Sequence, residues 1–173
     1  MRVRVPPLAP VWADSLTVKA EDSYSFECGF DSLSAHHIHS NMRIIVNGSF
    51  DIIHLGHIRL LQYAKSFPGA YVYVLIDSDR RIKELKGKDR PINTEYERVS
   101  LLAALKSVDR VDMFDTDDEL INLIREYKPD IMVKGSDYKG KPIIGAEFCK
   151  EIKFYDRLEK YSTTNKIQDI ANR

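Results

Sequence analysis

Residues 43–57 read RIIVNGSFDIIHLGH, and this stretch decides the fold class. Arg43–Asn47 is an apolar, β-branched run with the length of a buried strand, and Gly48-Ser49 provides a turn after it. Over Leu55–Ser66 the apolar residues then recur at helical spacing. A strand, a glycine turn and a helix in this order predict the opening unit of an α/β domain.

The same alternation continues along the chain. The sequence predicts further strands over Tyr71–Ile76, Val108–Phe114, Asp130–Lys134 and Ile152–Tyr155. It predicts helices over Thr94–Lys106 (with Asn93 as N-cap), Asp117–Tyr127, Ile143–Cys149 and Thr163–Ala171. Alternating strands and helices form right-handed βαβ units. We therefore predict an α/β fold: a doubly wound parallel sheet of about five strands, flanked by helices, with a ligand at the carboxyl ends of the strands.

Residues 1–41 differ from the rest of the chain. They show no helical or strand-like apolar period and contain Pro6, Pro7 and Pro10, whereas Met42 stands directly before the first predicted strand. We predict a disordered or non-native extension over 1–41 and a single domain over 42–173. The alternative is a metal-binding tail built from Cys28 and the histidines at 36, 37 and 39. It is disfavoured because adjacent histidines do not easily face one ion.

Composition excludes several classes of protein. The 173 residues include 26 Lys+Arg and 26 Asp+Glu, so the formal net charge is zero, which favours neither nucleic acid nor an anionic membrane surface as a partner. No apolar run reaches the ~18 residues that span a bilayer or forms a signal segment. Cys28 and Cys149 form no Cys-x-x-Cys motif, which argues against a disulfide framework. We predict a cytoplasmic protein with no nucleic-acid or membrane partner.

The His-x-Gly-His motif at 54–57 stands at the predicted start of the first helix. Unpaired N–H groups and the positive end of the helix dipole attract phosphate at such a position. His54 and His57 share one helix face and can donate to the same phosphoryl oxygens, while Gly56 lets a nucleotide approach the backbone. No third ligand follows at a metal-binding spacing, so we predict phosphate binding and no protein metal site.

These residues resemble the cytidylyltransferase-like nucleotidyltransferases. Residues 46–57 are similar to glycerol-3-phosphate cytidylyltransferase and, more closely, to the adenylyltransferase domain of bacterial ADP-heptose synthases. The stretches LKG (85–87), RPIN (90–93), VKGSDY (133–138) and STT (162–164) follow in the order of those enzymes. The resemblance covers about residues 42–170 and implies a Rossmann-like fold.

The resemblance also implies a site. Its catalytic residues would be His54, His57 and Lys86, and Arg98 and Arg157 would hold the acceptor phosphate. Its nucleotide-binding residues would be Gly48, Ser49, Phe50, Asp51, Gly56, Gly135, Asp137, Ser162, Thr163 and Thr164. Structural alternatives remain at three places: Lys86 as a solvated surface charge, Ser162-Thr163 as a plain helix cap, and Arg157 as a surface ion pair. The chain departs from the family at Ser136 and at residues 159–161, where the relatives have glycine.

The implied reaction is nucleotidyl transfer from an NTP (ATP or CTP) to a sugar or polyol phosphate, with release of pyrophosphate and with Mg²⁺ as cofactor, in a homodimer. The main hypothesis is an adenylyltransferase of the ADP-heptose-synthase type, and the alternative is a glycerol-3-phosphate cytidylyltransferase. A non-catalytic nucleotide-binding module and a fragment of a class I aminoacyl-tRNA synthetase are competing classes. Intact His54, His57 and Lys86 disfavour the first, and the lack of a Lys-Met-Ser-Lys-Ser loop disfavours the second. We expect another protein to phosphorylate the sugar, because these 173 residues contain no kinase domain.

Overall fold

A computed structural model describes residues 42–156, 158 and 161–172. The predicted extension 1–41 and Arg157 lie outside the described residues. The strands are β1 (Met42–Gly48), β2 (Ala70–Asp77), β3 (Arg110–Phe114), β4 (Ile131–Gly135) and β5 (Glu151–Tyr155). The helices are α1 (Leu55–Lys65), α2 (Asp79–Lys86), α3 (Glu95–Ala103), α4 (Asp117–Tyr127) and α5 (Thr163–Ala171). Single 3₁₀ turns lie at Ser136–Tyr138 and Ala146–Phe148.

The five strands form one parallel sheet in the order β3-β2-β1-β4-β5. The central strand β1 pairs with β2 on one side and with β4 on the other. The winding direction reverses between β1 and β4, and a doubly wound sheet opens its ligand crevice at this switch point. The predicted Rossmann-like sheet of about five strands is confirmed.

Both faces of the sheet are covered by helices. Ile44 and Val46 belong to the core that packs under α1 and α3, whereas Ile45 and Met132 belong to the core under α4. Successive residues of β1 enter opposite cores because side chains alternate along a strand. Two apolar faces explain why these strands read as continuous hydrophobic runs in the sequence. In the described part of the chain, no helix is both long and apolar enough to cross a bilayer.

Helix α3 begins one residue later than predicted. Thr94, not Asn93, is the N-cap, and its side chain and that of Glu97 form a reciprocal capping box. The backbone N–H of Asn93 instead donates to Asp51 Oδ1 over 3.0 Å. The helix ends at Ala103, before the predicted end at Lys106.

Two other segments differ from the sequence-based prediction. The helix α2 was not predicted, because only Ile82 of its eight residues is buried and it has no apolar stripe. Ser78 nevertheless caps it by accepting from the N–H of Arg81 over 3.1 Å. The predicted helix Ile143–Cys149 is only the 3₁₀ turn Ala146–Phe148, because Gly145 before it has φ 77° in the left-handed region.

We predict that residues 1–41 are dispensable. Helices of the described domain already cover both faces of the sheet, and β1 begins at Met42. A chain starting at Met42 should therefore keep the melting temperature and the turnover of the full chain, measured side by side. Aggregation, or a melting temperature lower by several degrees, would show that the segment packs on the domain.

Candidate functional site

A cleft of about 530 Å³ opens at the carboxyl ends of β1 and β4. Its volume falls in the range of small-molecule sites, roughly 300–1,000 Å³. Of the fourteen predicted site residues that the structure describes, thirteen line the walls of the cleft and Arg98 does not. The thirteen are Gly48, Ser49, Phe50, Asp51, His54, Gly56, His57, Lys86, Gly135, Asp137, Ser162, Thr163 and Thr164.

His54 and His57 lie side by side at the start of α1, as their spacing predicts. His54 is the N-cap, and its Nδ1 accepts from the backbone N–H of His57 over 3.4 Å. The two rings stack with centroids 3.8 Å apart and planes 17° apart. A Cβ on Gly56 would lie 3.0 Å from the His54 ring, so the glycine makes room for this ring. The pair therefore presents two ring edges beside the N–H groups of a helix start.

The turn between β1 and α1 is held in an unusual backbone conformation. Phe50 and Ile52 have φ values of 49° and 50°, in the left-handed region that bulky residues rarely adopt. The Phe50 side chain is 4% exposed, and its ring centroid lies 5.0 Å from that of His57. Such strain persists only where the surroundings impose it, and it concentrates at functional sites.

Hydrogen bonds of Asp51 hold the turn in this conformation. Its buried carboxylate accepts from the backbone N–H groups of Ile92 and Asn93 at 3.1 and 3.0 Å and from Arg90 Nε at 2.8 Å. Its backbone carbonyl accepts from Thr163 Oγ1 at 2.6 Å. Asp51 was predicted to contact the nucleotide. In the structure it ties the turn to two distant segments, and it is therefore a positioning residue.

Lys86 reaches the turn from the end of α2. Its Nζ donates to Ser49 Oγ over 2.6 Å, so its charge lies next to the predicted nucleotide-binding residues. The residue as a whole is exposed, but loss of hydration on the cleft side lowers the pKa of the ammonium, and the carboxylate of Asp77 opposes that shift. This placement argues against the alternative of a freely solvated surface lysine.

Arg98 does not occupy the position expected from the sequence. Its side chain is 0% exposed, and its guanidinium donates to the backbone carbonyls of Ser49 and Asp77, each at 2.8 Å, and to Asp79 at 2.7 Å. Arg98 Nε also donates a hydrogen bond to the backbone carbonyl of Asn93 over 3.2 Å. With its donors used inside the protein, Arg98 is not placed to hold an acceptor phosphate. It fixes the β1–α1 turn against the end of β2.

The start of α5 forms a second wall of the cleft. Ser162 is its N-cap and accepts from the N–H of Asn165 over 3.1 Å, so the capping alternative describes this hydroxyl correctly. Thr163 bonds to the β1–α1 turn, and Thr164 lines the cleft. Two helix N-termini, those of α1 and α5, therefore line one cavity, which suits a polyanion.

Lys134 and Asn47 are two of the cleft residues that the sequence-based analysis did not assign to the site. Lys134 is only 6% exposed, and burial lowers the pKa of its ammonium to about 8. The side-chain oxygen of Asn47 is buried without a hydrogen-bond partner among the described residues. A lysine inside the apolar run IMVKG was the available signal, because lysine is almost never buried unless it is paired.

Comparison with known proteins assigns the family. The profile of the cytidylyltransferase-like family matches residues 45–167. The chain belongs to the cytidylyltransferase-like family. The resemblance stated from the motifs is thereby confirmed.

Two relatives are similar to this chain over about three quarters of its length. Bifunctional protein HldE from Campylobacter fetus subsp. fetus is 51% identical over 127 residues, which is 73% of this chain and 27% of that protein. Bifunctional protein HldE from Nitratiruptor sp. is 46% identical over 129 residues, 75% of this chain and 28% of the relative. This chain thus spans less than a third of the length of these relatives.

A solved structure supports the fold. The lipopolysaccharide core biosynthesis protein from Thermoplasma volcanium superposes with a TM-score of 0.53 at 30% sequence identity. The match covers 70% of this chain and 98% of that one. An almost complete structure of a similar protein therefore corresponds to the domain described above.

Proposed function

We propose that this chain is an adenylyltransferase that moves AMP from ATP to a sugar phosphate and releases pyrophosphate. The motifs of this chain resemble the adenylyltransferase domain of bacterial ADP-heptose synthases, and its similarity to the HldE proteins supports this assignment. The observation that carries the proposal is the stacked pair His54 and His57 at the start of α1, which lines the same cleft at the switch point as Lys86.

The reaction needs no protein nucleophile. A phosphate monoester has a second pKa near 6, so the acceptor already carries an anionic oxygen at neutral pH. That oxygen forms the new bond to the α-phosphorus, and the bond to the β-phosphate breaks with its electron pair leaving on pyrophosphate. The protein therefore has to align the two substrates and stabilise charge on the phosphoryl oxygens.

Each part of the cleft contributes to that charge stabilisation. The backbone N–H groups at the start of α1 bind the phosphates in the ground state. His54 and His57 donate to oxygens that gain charge as pyrophosphate leaves, and Lys86 neutralises the transferring group. Asp51 and Arg98 act indirectly, because they hold the turn that carries Ser49 and Phe50.

The residues of the cleft fit a Mg²⁺ ion that arrives on the nucleotide. Among residues 42–156, 158 and 161–172, no group of three acidic, histidine or cysteine side chains is arranged to hold a metal. The carboxylates of Asp51 and Asp77 are engaged by Arg90 and Arg81. Mg²⁺ commonly binds through substrate phosphates and one or two carboxylates, and Asp137 is the carboxylate of the cleft wall that would serve. The ion would neutralise phosphate charge.

We predict that ATP is preferred over CTP and a sugar 1-phosphate, tested as heptose 1-phosphate, over glycerol 3-phosphate. The basis is the similarity of residues 85–93 and 133–138 to the heptose enzymes. The test measures pyrophosphate release for all four pairs at equal concentrations, with each nucleotide alone as control. A clear CTP preference would favour the glycerol-3-phosphate cytidylyltransferase alternative. Nucleotide binding with no pyrophosphate from any pair would favour a non-catalytic module.

We also infer a homodimer and a cytoplasmic location. Leu85, Ile92 and Tyr96 are apolar side chains that are more than half exposed, and they offer surface for a contact between copies. The cytoplasm is the compartment that supplies nucleoside triphosphates.

A further inference from the structure

Asn47 and Lys134 enter the cleft from neighbouring strands. Val46 pairs with Val133 in the parallel register of β1 and β4, so the two residues that follow stand side by side. Ile45 and Met132, two positions earlier, belong to the core under α4. Because strand side chains alternate, Asn47 and Lys134 point to the α4 face of the sheet.

The histidines stand on the other side of the sheet edge. Their helix α1 covers the opposite face, and the His57 ring packs near Phe50, which belongs to the core on that face. The cleft therefore has two halves. The α1 half contains His54, His57 and the α1 N-terminus, and the α4 half contains Asn47 and Lys134.

The Lys134 ammonium is a buried cation without a hydrogen-bond partner. Its side chain is 94% buried, and its Nζ makes no hydrogen bond and no ion pair within 4 Å to any residue that the structure describes. Its Nζ lies 4.8 Å from the centroid of the Tyr138 ring, and the carboxylates of Asp77 and Asp137 act on it only by longer-range attraction. Burying a cation in this way is costly unless a ligand supplies the missing acceptor.

Asn47 places a hydrogen-bond acceptor, its Oδ1, in the same half of the cleft as the Lys134 cation. Its Oδ1 is buried and makes no hydrogen bond within the described part of the chain. A buried polar atom without a partner in a folded protein calls for an explanation, and a ligand donor provides one here because Asn47 lines the cleft. Apolar side chains, including Ile143 and Phe114, wall the same half.

We propose that Asn47 and Lys134 form the subsite for the acceptor: Lys134 binds a phosphate oxygen of a sugar or polyol phosphate, and Asn47 Oδ1 accepts from one of its hydroxyl groups. This assignment rests on the proposed function. The ligand must offer an anion and a hydroxyl donor together, which matches a phosphorylated polyol. The α1 half of the cleft already holds the groups proposed to bind the triphosphate. In-line displacement requires the attacking oxygen to approach the α-phosphorus from the side opposite the leaving pyrophosphate.

The decisive variant is Lys134→Met, which keeps most of the unbranched side chain and removes the charge. We expect the KM for the acceptor to rise roughly tenfold to a hundredfold, as for other lost hydrogen bonds to charged groups, with the ATP Kd within about twofold of the wild type. Lys141→Met is the matched control, because Lys141 is exposed, lies 5.9 Å from the same Tyr138 ring and does not line the cleft. The control should leave both constants unchanged.

A second variant tests the hydroxyl contact. Asn47→Leu should raise the acceptor KM by about two- to tenfold, the effect of one neutral hydrogen bond, and leave the ATP Kd unchanged. Melting temperatures show whether each variant folds, and Lys134→Gln replaces the methionine variant if that one does not. A rise in ATP Kd with an unchanged acceptor KM would assign these residues to the nucleotide and overturn the proposal.

Direct binding separates this proposal from the proposed function. Calorimetry measures heptose 1-phosphate and glycerol 3-phosphate with the wild type and with Lys134→Met. If the wild type gives no turnover, the proposed function fails, yet loss of sugar-phosphate binding in the variant still supports the subsite. Equal binding by both proteins, or no binding by the wild type, overturns the subsite.

Discussion

His57→Ala is expected to lower kcat by on the order of 10²–10³, about 2.7–4 kcal/mol of transition-state stabilisation, as for the loss of one oxyanion donor. His57 lies in the first turn of α1, stacked on His54, where its ring reaches oxygens that gain charge as pyrophosphate departs. The ATP Kd should change much less, because the backbone N–H groups and Lys86 still bind the ground-state phosphates.

Three measurements on this variant separate the possible roles of His57: kcat, ATP Kd and melting temperature. His57→Gln is the control, since it keeps an N–H donor and should retain more activity than the alanine variant. A loss confined to stability would make His57 a structural histidine. A rise in KM with normal kcat would mean that it binds substrate and transition state equally.

Arg98→Leu is expected to lower the free energy of unfolding by about 3–5 kcal/mol, the usual effect of breaking a buried charge pair from one side. The change leaves Asp79 without its partner and removes the donors to the carbonyls of Ser49 and Asp77. Arg80→Leu is the matched control. Arg80 pairs with Glu84 and Asp115 at the surface, where solvent screens the charges, so its loss should change the urea midpoint far less than the loss of Arg98.

Urea denaturation of both variants and of the wild type measures this difference. The sequence-based role of Arg98, an acceptor-phosphate ligand, predicts a different result. If Arg98→Leu unfolds at the wild-type urea concentration while the acceptor KM rises, the buried network described here does not stabilise the domain and the direct-contact role is correct.

Local sequence signals were sufficient to predict the bounds of a helix where an N-cap residue and an apolar stripe coincide. The bounds of α4 agree with the prediction at both ends, because Thr116 caps the helix and Lys128, in the left-handed conformation, ends it before Pro129. The helix α2 was not predicted because its sequence has a cap but no apolar stripe. It buries one residue, Ile82, and is held by its Ser78 cap and by surface ion pairs that produce no apolar period.

The sequence correctly predicted the edge of the sheet at which the site lies. It did not predict the position of every side chain within the site. A motif shows that Arg98 lies on α3, but only the packing of α3 against β2 and β3 shows that its guanidinium is enclosed between backbone carbonyls. Asn47 and Lys134 are far apart in sequence, and the β1–β4 register brings them together. Pairing of distant strands is the information that a local pattern lacks.

Nucleotidyl transfer is tested most directly by following the α-phosphorus of ATP. The full chain is incubated with Mg²⁺, heptose 1-phosphate and ATP labelled with ³²P at the α-position, and in parallel with ATP labelled at the γ-position. The account predicts that the α-label moves to a product that also contains the sugar, while the γ-label appears only in pyrophosphate. Transfer of the γ-label to the sugar, or its release as inorganic phosphate, would contradict attack at the α-phosphorus.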